Sequence, residues 1–456
     1  MSAAGKTLLV RNVELLATMD DARRELRNAG LFARGNAIEW VGPMDEAPAT
    51  ADTEIDLSQH LLLPGLVNTH HHMYQSLTRA VPGAQDAELF GWLKRLYPVW
   101  LRLTPEMVTT AAELAIAELM LSGCTTSSDH HYVFPDGVQL HDTIIAAQTL
   151  GLRFHATRGA MSLGESEGGL PPDALVEDES AILRDMQRVI ELWHDAAPRS
   201  MLRIGLAPCS PFSVTPDLMR ETAALARAYR VGLHTHLAES DNDVAYSRER
   251  FRRTPAEYAE EMGWVGPDVW HAHCVKLDDA GIALFGRTRT GVAHCPCSNM
   301  RLASGIAPVQ RLRRAGAAVG LGVDGSASND CGHLLLEARQ AMLLARVGGG
   351  PAAMSAREAL ALATVGGAAA LGRNDIGALA PGMAADFIAF DLRAIEFAGA
   401  LHDPLAALVF CAPARPALSV INGRIVIREG TLLTRDRGAL VERHNRLALR
   451  LLEGSS

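Results

Sequence analysis

Between residues 63 and 373 short apolar runs alternate with capped, helix-prone segments, and this alternation constrains the fold more than any other feature of the chain. The runs LRFHAT, MLRIGLA, VGLHTHL, VWHAH, GVAH and AAVGLGV are short, apolar and β-prone. A helix is predicted to open at Thr104-Pro105-Glu106, with Thr as N-cap and Pro in the first turn, and to stop at Gly123. Another opens at Thr215-Pro216-Asp217 and closes before Gly232, and a third carries a capping box from Ser355 to Glu358. A series of βα units over roughly 300 residues suits an α/β fold of the (β/α)8 TIM-barrel type.

The flanks read differently. The N-terminal segment, 1–62, runs as LLVRNVELLAT, then AGLFARGNAIEWVG, then a short run before HLLLPGLV. The C-terminal segment, 374–456, contains DIGALAPGMAADFIAFD and ALSVINGRIVIREG, with Asn422-Gly423 as a hairpin turn. The two ends are expected to pair into one small composite β domain, with a terminal helix after the second. Gly168–Pro172 and Gly348–Pro351 read as exposed loops.

Composition narrows the function classes. The formal net charge of −9 argues against a nucleic-acid backbone or an anionic membrane as the main partner. No charge-free apolar run reaches ~18 residues, so no transmembrane helix is expected. The start of the chain lacks a signal-peptide pattern, and a cytoplasmic location is expected. The seven cysteines are scattered without a CxxC pair, which suits buried thiols in a reducing compartment.

Histidines cluster at the ends of the strand-like runs, where a parallel barrel carries its chemistry. LLLPGLVNT reads as a strand running into His70-His71-His72. Side chains alternate along a strand, so His70 and His72 share a face and could grip one metal, while His71 points away. Such a pair alone reads equally as two polar strand-end residues. The second cluster is His234-Thr-His236, with Glu239 three residues on; the third is His271-Ala-His273; the fourth is Asp324, ending an apolar strand before Gly325. Asp324 alone would read as a helix cap. Four such sites in register point instead to one metal centre. His70, His72, His236 and Asp324 would hold a divalent cation, Zn²⁺ first and Fe²⁺ second, and leave a position for water. Metal binding lowers the pKa of that water toward ~7. Asp324 can then accept its proton, Glu239 can shuttle a proton to a ring nitrogen and then to a leaving amine, and His273 can stabilise the tetrahedral centre or hold the nucleophile.

The segments PGLVNTHHHM, HTHLAES, HAHCVKL, HCPCSNMRLASGIAPV and GLGVDGSASN fall in order across the predicted barrel and resemble the amidohydrolase superfamily, aminohydrolase branch. ADFIAFD and VINGRIV resemble that family's composite β domain. Dinuclear members use a strand-end lysine to bridge two metals. The three lysines here, Lys6, Lys94 and Lys276, do not end a suitable strand, so a mononuclear site is implied.

The resemblance implies hydrolysis of a small heteroaromatic substrate. GWLKRLYPVW, SGCTTSSDHHYVFP and RGAMSLGESEGGLPPD look like the group that converts 8-oxoguanine to urate and ammonia. Isoxanthopterin, guanine and s-triazine hydrolysis need only a different pocket around the same centre. A non-catalytic scaffold is the remote reading. Gln75 sits where guanine-deaminating relatives read a lactam edge, and a primary amide offers both donor and acceptor. On the same resemblance Trp100 or Tyr97 would stack on the ring, Arg158 would meet a ring oxygen, and Asn329 joins the substrate-binding set. His130 and His131 could face the pocket or make structural hydrogen bonds. Cys209 stands where relatives place pocket-lining residues and departs from their pattern. A homo-oligomer is expected.

Overall fold

Eight parallel strands close on themselves in the computed structural model, which describes residues 5–135, 137–411 and 413–453. They are β1 (Leu66–Asn68), β2 (Cys124–His131), β3 (Arg153–Ala160), β4 (Leu202–Pro208), β5 (Gly232–Leu237), β6 (Val269–His273), β7 (Gly291–His294) and β8 (Val319–Leu321). Each pairs with its neighbour in sequence, and Leu321 of β8 opposite Asn68 of β1 completes the ring. The predicted helix starts are made by the side chains named for them. Thr104 accepts from the Met107 amide, Thr215 from Leu218, and Ser355 and Glu358 form both bonds of a capping box.

One barrel strand is absent from the apolar runs. β2 reads CTTSSDHH, yet all eight of its residues are buried. That polar set is only partly paired: Asn68 donates to Ser127 Oγ at 3.0 Å and Asp129 Oδ1 accepts from the Met73 amide at 2.9 Å, while Thr126 Oγ1, Ser128 Oγ and both His131 nitrogens are buried without a partner.

The run LLLPGLVNT is two strands rather than one. His60–Pro64 belongs to the flanking sheet, and β1 begins at Leu66. A Cβ on the intervening Gly65 would stand 2.0 Å from Thr125 Oγ1, so only glycine lets the chain cross from sheet to barrel there. The flanking sheet has nine strands from both ends of the chain. His60–Pro64 pairs with Thr7–Ala17 on one side and Phe387–Asp391 on the other. Asn422 (φ 53°) and Gly423 (φ 75°) form the predicted turn between Leu418–Ile421 and Arg424–Arg428. Gly348 and Gly349 lie not in a loop but at the exposed end of the helix Leu334–Gly349.

The terminal helix, Arg437–Glu453, packs on the barrel side, against the helix Pro105–Leu121 and the turn of 3-10 helix Met73–Thr78. Its Leu447 and Leu451 join a buried apolar cluster with Tyr74, Trp92, Tyr97 and Trp100 that walls the C-terminal mouth of the barrel. Among the described residues no helix is long and apolar enough to cross a membrane.

Candidate metal centre and active site

The strand ends at the C-terminal mouth bring together four side chains drawn from β1, β5 and β8. The hydrogen bonds around them settle which nitrogen faces inward. A carbonyl oxygen only accepts, so His72 Nδ1 must donate to His130 O (2.7 Å) and His236 Nδ1 to Cys209 O (2.6 Å). His234 Nδ1 donates to Trp270 O at 2.7 Å, which leaves its Nε2 to accept from His70 Nδ1, also at 2.7 Å. Each of His70, His72 and His236 therefore turns a bare Nε2 lone pair inward. Burial holds all three imidazoles below their usual pKa, His236 at about 3.

The Nε2 atoms of His72 and His236 lie 3.1 Å apart with no proton between them. His70 Nε2 is buried without a hydrogen-bond partner. Asp324 Oδ1 stands 3.2 Å from His70 Nε2 and 3.3 Å from His72 Nε2. Lone pairs crowded onto one point beside a carboxylate need a cation between them, and three imidazoles with one carboxylate suit zinc. One nitrogen of His130 also lies within 4.8 Å of the His70, His72 and His236 ligand atoms. Its Nε2 is engaged by Ala207 O at 2.8 Å and its ring stacks on His236. His71 is buried with neither ring nitrogen partnered.

Backbone strain gathers at the same place. Asp324 (φ 61°), His273 (φ 71°) and Ala238 (φ 52°), which precedes Glu239, all adopt the left-handed conformation. Each such residue costs on the order of 1–3 kcal/mol and persists only where the surroundings enforce it.

Around the ligands sits the acid–base apparatus. Burial works to raise Asp324, but the imidazoles of His70 and His273 beside it outweigh that and hold the carboxyl well below its usual range. Its Oδ2 accepts from Ser298 Oγ at 2.5 Å and Ser328 Oγ at 3.0 Å. Glu239 Oε2 is 3.5 Å from His273 Nε2, and its Oε1 is buried without a partner. Burial pushes Glu239 up to about 7, against the opposing charge of His273. His273 is buried too, yet the charges of Glu239 and Asp324 raise its pKa, and Asn299 Oδ1 accepts from its Nδ1 at 2.9 Å.

These groups open onto one cavity of about 30 Å³, walled by Gln75, Leu89, Trp92, Tyr132, Cys209 and Phe212 beside His72, His236, Glu239, His273 and Asp324. Gln75 is wholly buried and neither of its amide atoms has a partner. Three residues expected against the substrate lie elsewhere. Trp100 is buried in the apolar cluster and donates to Thr78 Oγ1 at 3.2 Å; Trp92, two helical turns earlier, takes the wall position. Arg158 is held at 2.7 Å by both Glu177 and Asp185, and its guanidinium lies over Phe134. Asn329 donates to Val323 O at 2.7 Å and Glu337 Oε1 at 2.8 Å, bracing the loop that carries Asp324. Tyr97 and His131 are buried and do not line the cavity. Cys209 does line it, with a thiol that burial raises to about 12, which makes it a weakly reactive wall.

Residues 61–426 match the model of the amidohydrolase family. The chain is 46% identical over 422 residues to an 8-oxoguanine deaminase of Pseudomonas aeruginosa, covering 92% of this chain and 94% of that protein. It is 36% identical over 424 residues to an isoxanthopterin deaminase of an unknown prokaryotic organism, covering 87% of each. Among solved structures, the zinc complex of an atrazine chlorohydrolase from Arthrobacter aurescens superposes with a TM-score of 0.93 at 34% identity, covering 97% of this chain and all (100%) of that one.

Proposed function

This chain belongs to the amidohydrolase family, as a metal-dependent hydrolase of heteroaromatic substrates, and from that premise we propose that it deaminates 8-oxoguanine. One water is consumed and the products are urate and ammonia. The observation that carries the substrate is Gln75, a buried amide with an unpartnered oxygen and an unpartnered nitrogen on the wall of the cavity that Glu239 and Asp324 share. A lactam edge presents one acceptor and one donor, the complement of a primary amide. The 46% identity to an 8-oxoguanine deaminase supports the same reading.

His70, His72, His236 and Asp324 would hold the cation, which when bound lowers the pKa of a coordinated water toward ~7. The remaining chemistry belongs to side chains. Asp324 takes the proton of the attacking water, with Ser298 and Ser328 fixing the direction of its Oδ2. Glu239, kept protonable near neutrality by burial, passes a proton to the ring nitrogen beside the attacked carbon and then to the departing amine. His273 sits against both carboxylates and stabilises charge at the tetrahedral carbon.

A volume of about 30 Å³ admits about one water, so a bicyclic ring enters only when the wall draws back. The helix Leu89–Trp100 supplies Leu89, Trp92 and Leu93 to that wall.

Ammonia release from 8-oxoguanine, guanine, isoxanthopterin and hydroxyatrazine, compared as kcat/KM on the zinc-loaded chain, tests the proposal. The expected order places 8-oxoguanine first. No turnover of 8-oxoguanine, with turnover of a pterin or triazine, overturns the substrate assignment and leaves the metal centre standing.

A further inference from the structure

A second cavity, of about 560 Å³, lies at the opposite end of the barrel, among the first residues of β4, β5 and β6. Trp270, whose ring stacks on His234 at 4.6 Å, stands between it and the metal ligands. In barrels of this kind the N-terminal end normally serves stability, so a chemically committed cavity there calls for a reason.

The wall is set up to donate. Arg203 on β4 stands in register beside His155 on β3. The half-buried Arg203 guanidinium contacts Ser200 Oγ at 3.4 Å, and among the described residues neither it nor Arg230 forms a salt bridge. Their neighbour Arg227 is paired with Asp268 at 3.1 Å. The histidines add donors of defined tautomer. The Ile204 amide donates to His194 Nδ1 at 3.1 Å, which puts the His194 proton on Nε2. Arg373 donates to His155 Nε2 at 3.3 Å, which puts the His155 proton on Nδ1. His155 is 5% exposed and its Nδ1–H has no protein acceptor among the described residues. Two unpaired guanidiniums and two imidazole N–H groups thus share one cavity, whose one lining carboxylate, Asp268, is paired with Arg227.

We propose that this cavity is a binding site for a phosphate-class oxyanion, either free or carried on a small metabolite. Arginine forks match the oxygens of such an anion in geometry and charge, and the imidazole N–H groups complete its acceptor shell. The volume exceeds what a bare phosphate fills and leaves room for an attached sugar or ring. The site is independent of the substrate assignment, because none of its residues touches the metal ligands' cavity.

Calorimetric titration of the zinc-loaded chain with inorganic phosphate and, separately, with adenosine monophosphate tests the proposal. Saturable binding of at least one probe is expected, weakened roughly tenfold by Arg203→Gln, the scale of one charge-assisted hydrogen bond. Arg230→Gln, at an exposed position, serves as the second variant and should weaken binding without touching the fold. Tighter binding of the nucleotide assigns the site to a phosphorylated metabolite, and equal or tighter binding of phosphate assigns it to the free ion. The proposal is overturned if neither probe binds, or if binding is unchanged in both variants, as it would be for an anion resting on the metal.

Discussion

His234 Nε2 lies 2.7 Å from His70 Nδ1, and the bond between them determines which nitrogen of His70 faces the metal. His234 is itself fixed by Trp270 O, so a backbone carbonyl on β6 orients the candidate ligand His70, two residues past β1, through one intermediate ring. Outer partners of this kind typically govern metal affinity by ~10–100-fold. His234→Ala should therefore lower zinc affinity by about that factor while leaving the other ligands in place. Competition with a chelator of known affinity measures it; an unchanged affinity would show that His70 needs no such support.

Glu239 titrates near neutrality because burial raises its pKa to about 7. The raised value means the carboxyl is protonated below about 7 and ionised above it. As the proposed acid that delivers a proton to the ring, it loses its active form as pH rises, so kcat/KM should fall on the alkaline side of about 7. Glu239→Gln should reduce kcat by ~10²–10⁴-fold with metal content unchanged. Metal analysis alongside the pH–rate profile separates a proton-transfer role from a structural one.

On the proposed reading Gln75 meets the substrate through two amide atoms that have no protein partner. Gln75→Leu keeps the approximate volume and removes both contacts. A loss of about 10-fold to 100-fold in kcat/KM for 8-oxoguanine is expected, the scale of one or two buried hydrogen bonds. A ring lacking the lactam edge should lose much less. Equal losses for both rings would mean that Gln75 acts by packing alone.

Glu337 braces the Asp324 loop, accepting from the Cys297 amide at 3.1 Å and from Asn329 at 2.8 Å. Burial raises its pKa to about 7 from an ordinary 4.5. A raised carboxyl binds its proton more tightly when folded, so its contribution to stability is present at low pH and is lost between about 4.5 and about 7. Replacing Glu337 with Gln removes that titration. The Tm of the zinc-loaded variant should fall less over this range than that of the parent, as thermal melts at matched ionic strength would reveal.

Much of the candidate centre was legible because a parallel barrel carries its chemistry at the C-terminal strand ends, and apolar runs mark strands. His70, His72, His236 and Asp324 all follow such runs, and the structure converges them on one point. β2 escaped notice because its side chains are polar, and those that are paired meet neighbours remote in sequence. The substrate wall was the least readable part. Trp92 and Trp100 share an apolar helix, and nothing local says which of its ends meets the cavity. Arg158 looked available because its partners, Glu177 and Asp185, lie 19 and 27 residues away. His234 drew attention as half of a motif, but its task as a tautomer clamp becomes visible only in three dimensions.

The terminal helix reaches Ser76 through His444 (3.0 Å), and Ser76 is four residues beyond His72 of the candidate metal centre. Arg102 holds the far end of the same helix through Leu451 O at 2.7 Å. The tail is thus a splint on the mouth of the barrel rather than a strap on the flanking sheet. Trimming or loosening it would slacken the zinc pocket first and leave the strand pairing of the two chain ends intact.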